Sequence, residues 1–367
     1  MVSKHLTTVA EVLRTAIVNP EFDAAWRETP LPAGKDYTIE DLKDLSSLGL
    51  PSRQRQLSAS RPSNITESEH YLVTRDGWKS RTIVCHLKTP MSNQSPLIML
   101  LFGGGHVIGS PESEVELARL LAITHNAVVV LSSYRLAPKY PFPYSANDSW
   151  DCLQAIAKEA SSSSSSTILP SFTDATVGFI LGGTSAGCAL ASVLAHLARD
   201  NNLSPPLTGQ FLCAGSYISP SCVPPKYTSF YLSREQNKNA PLFDLDLLEL
   251  FRRAHKPDWS SPLAFSFDQH NPKDAEGEVR EGHRGLPPAY FQVCGLDISR
   301  DDSLIYEKVL REECEVQTRL SLFEGMPHCW WGVFPKLKIT EERFKEAVDG
   351  FGWLLTVGSA KKREVFG

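Results

Sequence analysis

The pattern Gly183-x-Ser185-x-Gly187, at the end of the apolar run 177–181, constrains this chain more than any other feature. Glycines two residues to either side of a serine mark a strand that turns sharply into a helix and lifts the serine off the sheet. The turn is strained at the serine, and a side chain at Gly183 or Gly187 would collide with neighbouring backbone. Leu190, Val193, Leu194 and Leu197 then recur at three- and four-residue steps, and Ala186, Ala189 and Ala191 permit close packing. That periodicity predicts a helix. A strand before and a helix after are the context this turn requires; without them the same five residues read equally well as a plain glycine-rich turn.

Further apolar runs build the sheet around that strand. Residues 97–101 and 127–131 are unbroken and apolar, as in parallel strands covered on both faces. Residues 71–73 and 82–84, joined through Asp76-Gly77, predict an antiparallel hairpin. Residues 210–214, 289–294 and 317–323 supply three more strands, and helices are expected at about 150–160, 245–255 and 340–355. Residues 1–60 come before any strand and are helical in pattern, with breaks at Pro30, Pro32 and Pro51. Their stripe of Val9, Val12, Leu13 and Ile17 reads as a cap segment lining a pocket. The remainder, 61–367, reads as one core carrying a cap insertion at about 223–280 and a flexible serine-rich loop at 161–166.

Composition excludes several function classes. A net charge of −5 over 367 residues suggests neither nucleic acid nor an anionic membrane as partner. No run is long enough for a membrane span, and the first residues lead into an amphipathic segment rather than a secretory signal. Eight cysteines form no CxxC pair and no metal-ligand spacing, the pattern of buried free thiols in the cytoplasm. A small molecule is the expected partner, with self-association as a homodimer left open.

A serine hydroxyl becomes a nucleophile only with a base, a group that orients the base, and donors for the oxyanion. After Ser185, the strand 291–296 runs into Asp297, and the strand 320–323 runs through Gly325-Met326-Pro327 into His328. Both positions lie past strand carboxyl ends, where parallel sheets bind ligands. A lone histidine is more often structural; the order Ser185, Asp297, His328 reverses that judgement. Asp301 and Asp302 are also near, but at the start of a helix, where carboxylates cap backbone amides at a worth of about 1 kcal/mol or less. Gly103-Gly104-Gly105 follows the strand 97–101, so the amides of Gly104, Gly105 and Ala186 are the expected oxyanion donors.

Four segments carry a resemblance: Phe102-Gly103-Gly104-Gly105-His106; Tyr134-Arg135-Leu136-Ala137-Pro138 with Pro141-Phe142-Pro143; Gly183-Thr184-Ser185-Ala186-Gly187; and Gly285-Leu286-Pro287-Pro288 leading to Asp297. Ser261-Pro262-Leu263 and the loop 325–328 fit too. Over roughly residues 70–355 the chain resembles the hormone-sensitive lipase family of α/β-hydrolase carboxylesterases. The resemblance implies a mostly parallel central sheet flanked by helices, a two-part helical cap, a Ser185–His328–Asp297 triad, and neither metal nor cofactor. The implied activity is hydrolysis of a small-molecule carboxylic ester through an acyl-enzyme. The alternatives are acyl transfer or non-hydrolytic chemistry at the same triad, and a ligand receptor; receptors of this fold have lost the histidine that His328 supplies here.

The chain departs from the family at Phe102, where histidine is usual, at His106, where an aromatic residue is usual, and at Thr184 and Cys188, which replace aspartate and glycine. These departures imply a specialised substrate, by analogy with fungal hydrolases that tailor secondary metabolites. His106, Thr184, Cys188 and Trp330 are assigned to the substrate pocket.

Overall fold

The computed structural model describes residues 5–161, 166–219, 222–267 and 282–366. Most of the serine-rich loop expected at 161–166, and residues 268–280 of the expected insertion, lie outside them. Two short helices, α1 (Val9–Arg14) and α2 (Pro20–Glu28), precede the long α3 (Ile39–Ser60). A reciprocal cap between Thr38 and Asp41 starts α3. Pro51, expected as a break, lies inside this helix. Proline leaves the carbonyl of Ser47 without its helical amide, but Ser47 is exposed and water can replace the lost partner.

The hairpin forms from β1 (Ile65–Val73) and β2 (Lys79–Leu87), with Gly77 at φ 83° in its turn. Strands and helices then alternate: β3 (Leu97–Leu101), α4 (Val115–His125), β4 (Val128–Ser132), α5 (Tyr144–Ser161), β5 (Phe179–Thr184), α6 (Ala186–Asp200) and β6 (Gly209–Cys213). Helices α7 (Ser233–Gln236) and α8 (Leu245–His255) come next. The chain continues with β7 (Ala289–Cys294), α9 (Arg300–Glu313), β8 (Thr318–Phe323) and α10 (Lys338–Phe366). The eight-stranded sheet runs β1-β2-β4-β3-β5-β6-β7-β8, antiparallel at β1/β2 and β2/β4 and parallel elsewhere.

Alternation along each strand sorts the core into two layers. Leu97, Met99 and Leu101 of β3 pack with Leu153, Leu194 and Val309, so α5, α6 and α9 cover one face. Ile98 and Leu100 pack with Leu117, Leu121, Phe351 and Leu354, so α4 and α10 cover the other. A third cluster lies at the carboxyl ends of the strands. There Leu42 of α3 and Leu248, Phe251 and Ala254 of α8 meet Val107, Ala137 and Ile298 from the loops after β3, β4 and β7. Asp244 ties this layer together, capping α8 through the Leu247 amide at 2.8 Å and accepting the Gly34 amide at 2.8 Å.

The stripe on α1 does not line a pocket at this end. Val12 alone of its four residues is buried, and Ile17 is 70% exposed. Residues 15–19 instead run as a strap along the loops after β7 and β8. Gly325 donates to Thr15 O at 2.6 Å and accepts the Asn19 amide at 3.1 Å, while a Cβ at Gly295 would collide with Thr15 O. Val12 instead sits beside Tyr227 and Leu304, where α1 lies near the flank of α9.

Asp301 and Asp302 begin α9, but they do more than the helix-start capping expected of them. Both are fully buried. Asp301 accepts the amides of Leu232 and Ser233 at 2.6 Å and pairs with Arg300 at 2.7 Å. Asp302 accepts the amides of Tyr217 and Ile218 at 3.2 and 3.0 Å and pairs with Arg234 at 3.0 Å. They bind the α7 segment to the core, so the figure of 1 kcal/mol is too small. Breaking a buried pair strands its partner, and Asp302→Asn is expected to destabilise the protein by about 3–5 kcal/mol. Denaturant unfolding of this variant reads the loss; a change under 1 kcal/mol would show the pair to be dispensable.

Candidate active site

Ser185 stands between β5 and α6 at φ 55°, ψ −118°, a region a non-glycine residue occupies only when its surroundings force it. The surroundings are tight. A Cβ at Gly183 would come within 2.5 Å of the Gly187 backbone, and one at Gly187 would collide with the carbonyl oxygens of Leu101 and Phe102. The Ser185 amide donates to Cys213 O at 2.8 Å, and its carbonyl accepts the amides of Cys188 and Ala189, both at 3.0 Å. The hydroxyl therefore projects from a fixed turn at the carboxyl edge of the sheet.

The loops after β7 and β8 bring Asp297 and His328 to that hydroxyl. Ser185 Oγ lies 2.8 Å from His328 Nε2, and His328 Nδ1 lies 2.6 Å from Asp297 Oδ2. A carboxylate facing Nδ1 fixes the proton there, leaving Nε2 bare to accept from the serine hydroxyl. Asp297 is held in turn: its Oδ1 accepts the Ser299 amide at 2.8 Å, and its carbonyl accepts from Asn237 Nδ2 at 2.8 Å. The ring of Phe243 lies 4.5 Å from that of His328.

Gly104 and Gly105 take φ 116° and 60°, and His106 follows at 62°, so the loop after β3 curls back against Ser185. A Cβ at Gly103 would stand 2.9 Å from that of Ser185, and one at Gly105 would run into the Phe251 ring. Ala186 opens α6, where first-turn amides have no carbonyl partner within the helix. Tyr134 fixes the loop from behind, donating to Phe102 O at 2.7 Å with its ring stacked 4.3 Å from that of Phe102.

Two cavities meet at Ser185 and His328, separated by Phe243 and Phe251. The smaller holds about 90 Å³ and is lined by His106, Ala189 and α8. The larger holds about 990 Å³ beside residues 31–46, the glycine loop, Thr184 and Arg343. His106 thus borders the small cavity, its Nδ1 3.1 Å from Ser145 Oγ and its ring stacked 4.0 Å from that of His255. Burial lowers the pKa of both imidazoles, that of His255 to about 4, so each is neutral at pH 7. Thr184 lies on the wall of the larger cavity.

Cys188 and Trp330 do not line either cavity. Cys188 is buried in the core with its sulfur 2.7 Å from Tyr217 Oη, and burial raises its thiol pKa well above the ordinary range. It directly follows Gly187 in the first turn of α6 and packs into the core layer, where a Cβ at Gly215 would meet its sulfur. Trp330 is buried on the opposite side of the sheet from α6, its indole donating to Thr340 Oγ1 at 3.0 Å. Its neighbour Trp331 is the one that reaches the large cavity. Sequence reading missed Phe243, Arg252, His255 and Ser299. The sequence did carry a signal for part of this group: Leu248, Phe251, Arg252 and His255 recur at helical spacing, which places them on one face of α8. Nothing in the sequence said that the face closes on Ser185.

Comparison with known proteins agrees with this architecture. A family model described as the α/β-hydrolase fold matches residues 98–332. An AB hydrolase superfamily protein of Schizosaccharomyces pombe is 32% identical over 298 residues, 80% of this chain and 81% of its own. A versiconal hemiacetal acetate esterase of Dothistroma septosporum is 28% identical over 71% of this chain and 74% of its own. Among solved structures, vibralactone cyclase superposes with a TM-score of 0.82 at 25% identity, covering 98% of this chain and 99% of that one. The elbow, the sheet order and these relatives together make the chain a member of the hormone-sensitive-lipase-like family of α/β hydrolases.

Proposed function

We propose that the protein is a serine carboxylesterase acting on a small-molecule ester. The observation that carries this reading is the unbroken hydrogen-bonded line from Ser185 through His328 to Asp297, ending on a cavity. Ser185 Oγ attacks the ester carbonyl as its proton passes to His328 Nε2, and Asp297 stabilises the imidazolium without taking the proton. The carbonyl oxygen becomes an oxyanion held by the amides of Gly104, Gly105 and Ala186. Collapse expels the alcohol with the proton from His328, leaving an acyl-enzyme. Water, deprotonated by the same imidazole, then releases the acid and restores Ser185.

The two cavities divide the substrate. Residues 31–46, α3 and α8 act as a cap that excludes water, which strengthens every charge interaction beneath it. A relative named for esterase action on versiconal hemiacetal acetate supports a metabolite ester as substrate and a place in secondary metabolism. The likeness to vibralactone cyclase favours a second reading, in which the same triad passes the acyl group to an acceptor other than water or does non-hydrolytic chemistry. Product analysis separates the two, since hydrolysis alone yields free acid. Among the described residues no helix is long and apolar enough to cross a membrane, and all eight cysteines are free thiols. A cytoplasmic site of action accords with both.

Ser185→Ala is expected to abolish turnover and fluorophosphonate labelling without shifting thermal unfolding, since it removes one oxygen. Turnover persisting in this variant would refute the nucleophile. Asp297→Asn is expected to lower kcat by about 10⁴-fold, the cost of holding the base in the wrong tautomer. Steady-state kinetics beside Asp301→Asn checks the assignment: a larger catalytic loss at Asp301 than at Asp297 would overturn it.

A further inference from the structure

The small cavity is not an apolar slot. One face of α8 supplies Leu248, Phe251, Arg252 and His255 to it, and Ser299 enters from the loop that carries Asp297. Its polar groups are left with unused hydrogen-bonding capacity. His255 Nδ1, Ser299 Oγ and Arg252 Nη2 are buried and have no hydrogen-bond partner among the described residues. His255 and Ser299 are themselves more than nine-tenths buried. Buried polar groups are ordinarily paired, and three unpaired ones on residues that line one small cavity beside a nucleophile mark a place built for a polar group of the ligand.

We infer that the small cavity is an acyl pocket selecting a short acyl group that bears an uncharged oxygen, hydroxyl or keto, beyond the ester carbonyl. This rests on the esterase reading above. The acyl group is assigned to the smaller cavity because it stays on Ser185 after the alcohol has left, and the larger cavity gives the alcohol room to depart. Size sets the length: about 90 Å³ is less than the ~150 Å³ cavity that admits benzene, so the chain is shorter than a six-membered ring is large. Charge sets the kind of oxygen. Arg252 already pairs with Glu249 at 2.8 Å, Arg234 with Asp302 at 3.0 Å and Arg300 with Asp301 at 2.7 Å. Asp297 adds one more carboxylate beneath His328, and each of these three guanidinium groups already has a carboxylate partner, so a second anion would enter a site whose described cations are neutralised. Neutral His255 and Ser299 can each donate to or accept from a hydroxyl or carbonyl.

The test uses esters of a single nitrophenol with butyric, 3-hydroxybutyric, 3-oxobutyric and succinic acids, the last as the hemiester. The expected result is a kcat/KM for the 3-hydroxy or 3-oxo ester at least about tenfold above butyrate, the discrimination expected when buried polar groups would otherwise go unpaired. A smaller ratio overturns the inference, as does preference for the hemisuccinate. Ser299→Ala and His255→Phe, the latter keeping a ring against His106, are each expected to lower the ratio at least fivefold. An unchanged ratio in both would assign the preference elsewhere and overturn the role given to these groups. The wild-type ratio stands as a test even if a variant fails to fold. Failure of the esterase reading looks different: no ester turned over and no fluorophosphonate on Ser185 would remove both claims. A labelled Ser185 with butyrate turned over and no preference for oxygen would remove only this one.

Discussion

The active centre depends on one backbone conformation, the positive φ of Ser185. Holding a residue there costs on the order of 1–3 kcal/mol, which the rest of the structure must outweigh. It does so with two strands and a helix. β3 brings the Leu101 carbonyl so close that only glycine fits at 183 and 187, β6 accepts the Ser185 amide at Cys213, and α6 begins on the serine's own carbonyl. Moving any of the three would let the turn relax and the hydroxyl sink toward the sheet. The apolar runs of β3, β5 and β6 are in this sense part of the site, because their burial fixes the geometry that the glycines permit.

Three carboxylates within six residues of one another illustrate how surroundings set a role. Asp297, Asp301 and Asp302 are equally buried. Asp297 faces an imidazole whose other nitrogen meets the serine, whereas Asp301 and Asp302 face guanidinium groups and backbone amides of the α7 segment. On the proposed reading the first orients a base; the others anchor a connection between core and cap layer. Residue type and burial are the same in all three, and only the partner differs.

That distinction explains what the sequence could and could not disclose. Ser185, Asp297 and His328 were readable because each ends or follows a strand with a plain apolar signature, and parallel strands deliver their carboxyl ends to one edge. The hairpin at Asp76-Gly77 and the helix 245–255 were readable from turn chemistry and periodicity. Direction off an element was harder. Cys188 and Trp330 lie within three residues of Ser185 and His328 along the chain, yet their side chains face the core, since a local turn decides orientation and spacing does not. Pro51 was misjudged because helix breaking depends on whether water can reach the orphaned carbonyl, which is a property of the folded surface. The burial of Asp301 and Asp302 and the path of residues 15–19 rest on contacts between segments far apart in sequence, for which no local pattern exists.

The strap at residues 15–19 carries a consequence for the order in which the molecule is assembled. Thr15 touches Arg300, a separation of 285 residues, and Gly325 lies farther still along the chain. During synthesis this segment emerges early and has nothing to dock against until β7 and β8 follow it. The loops bearing Asp297 and His328 thus close against a piece of chain that has been waiting since the start. Contacts of such sequence separation form late and slowly. The line from Ser185 through His328 to Asp297 therefore waits on the contacts of greatest sequence separation, and a partly made chain with a finished Ser185 elbow still lacks its two partners.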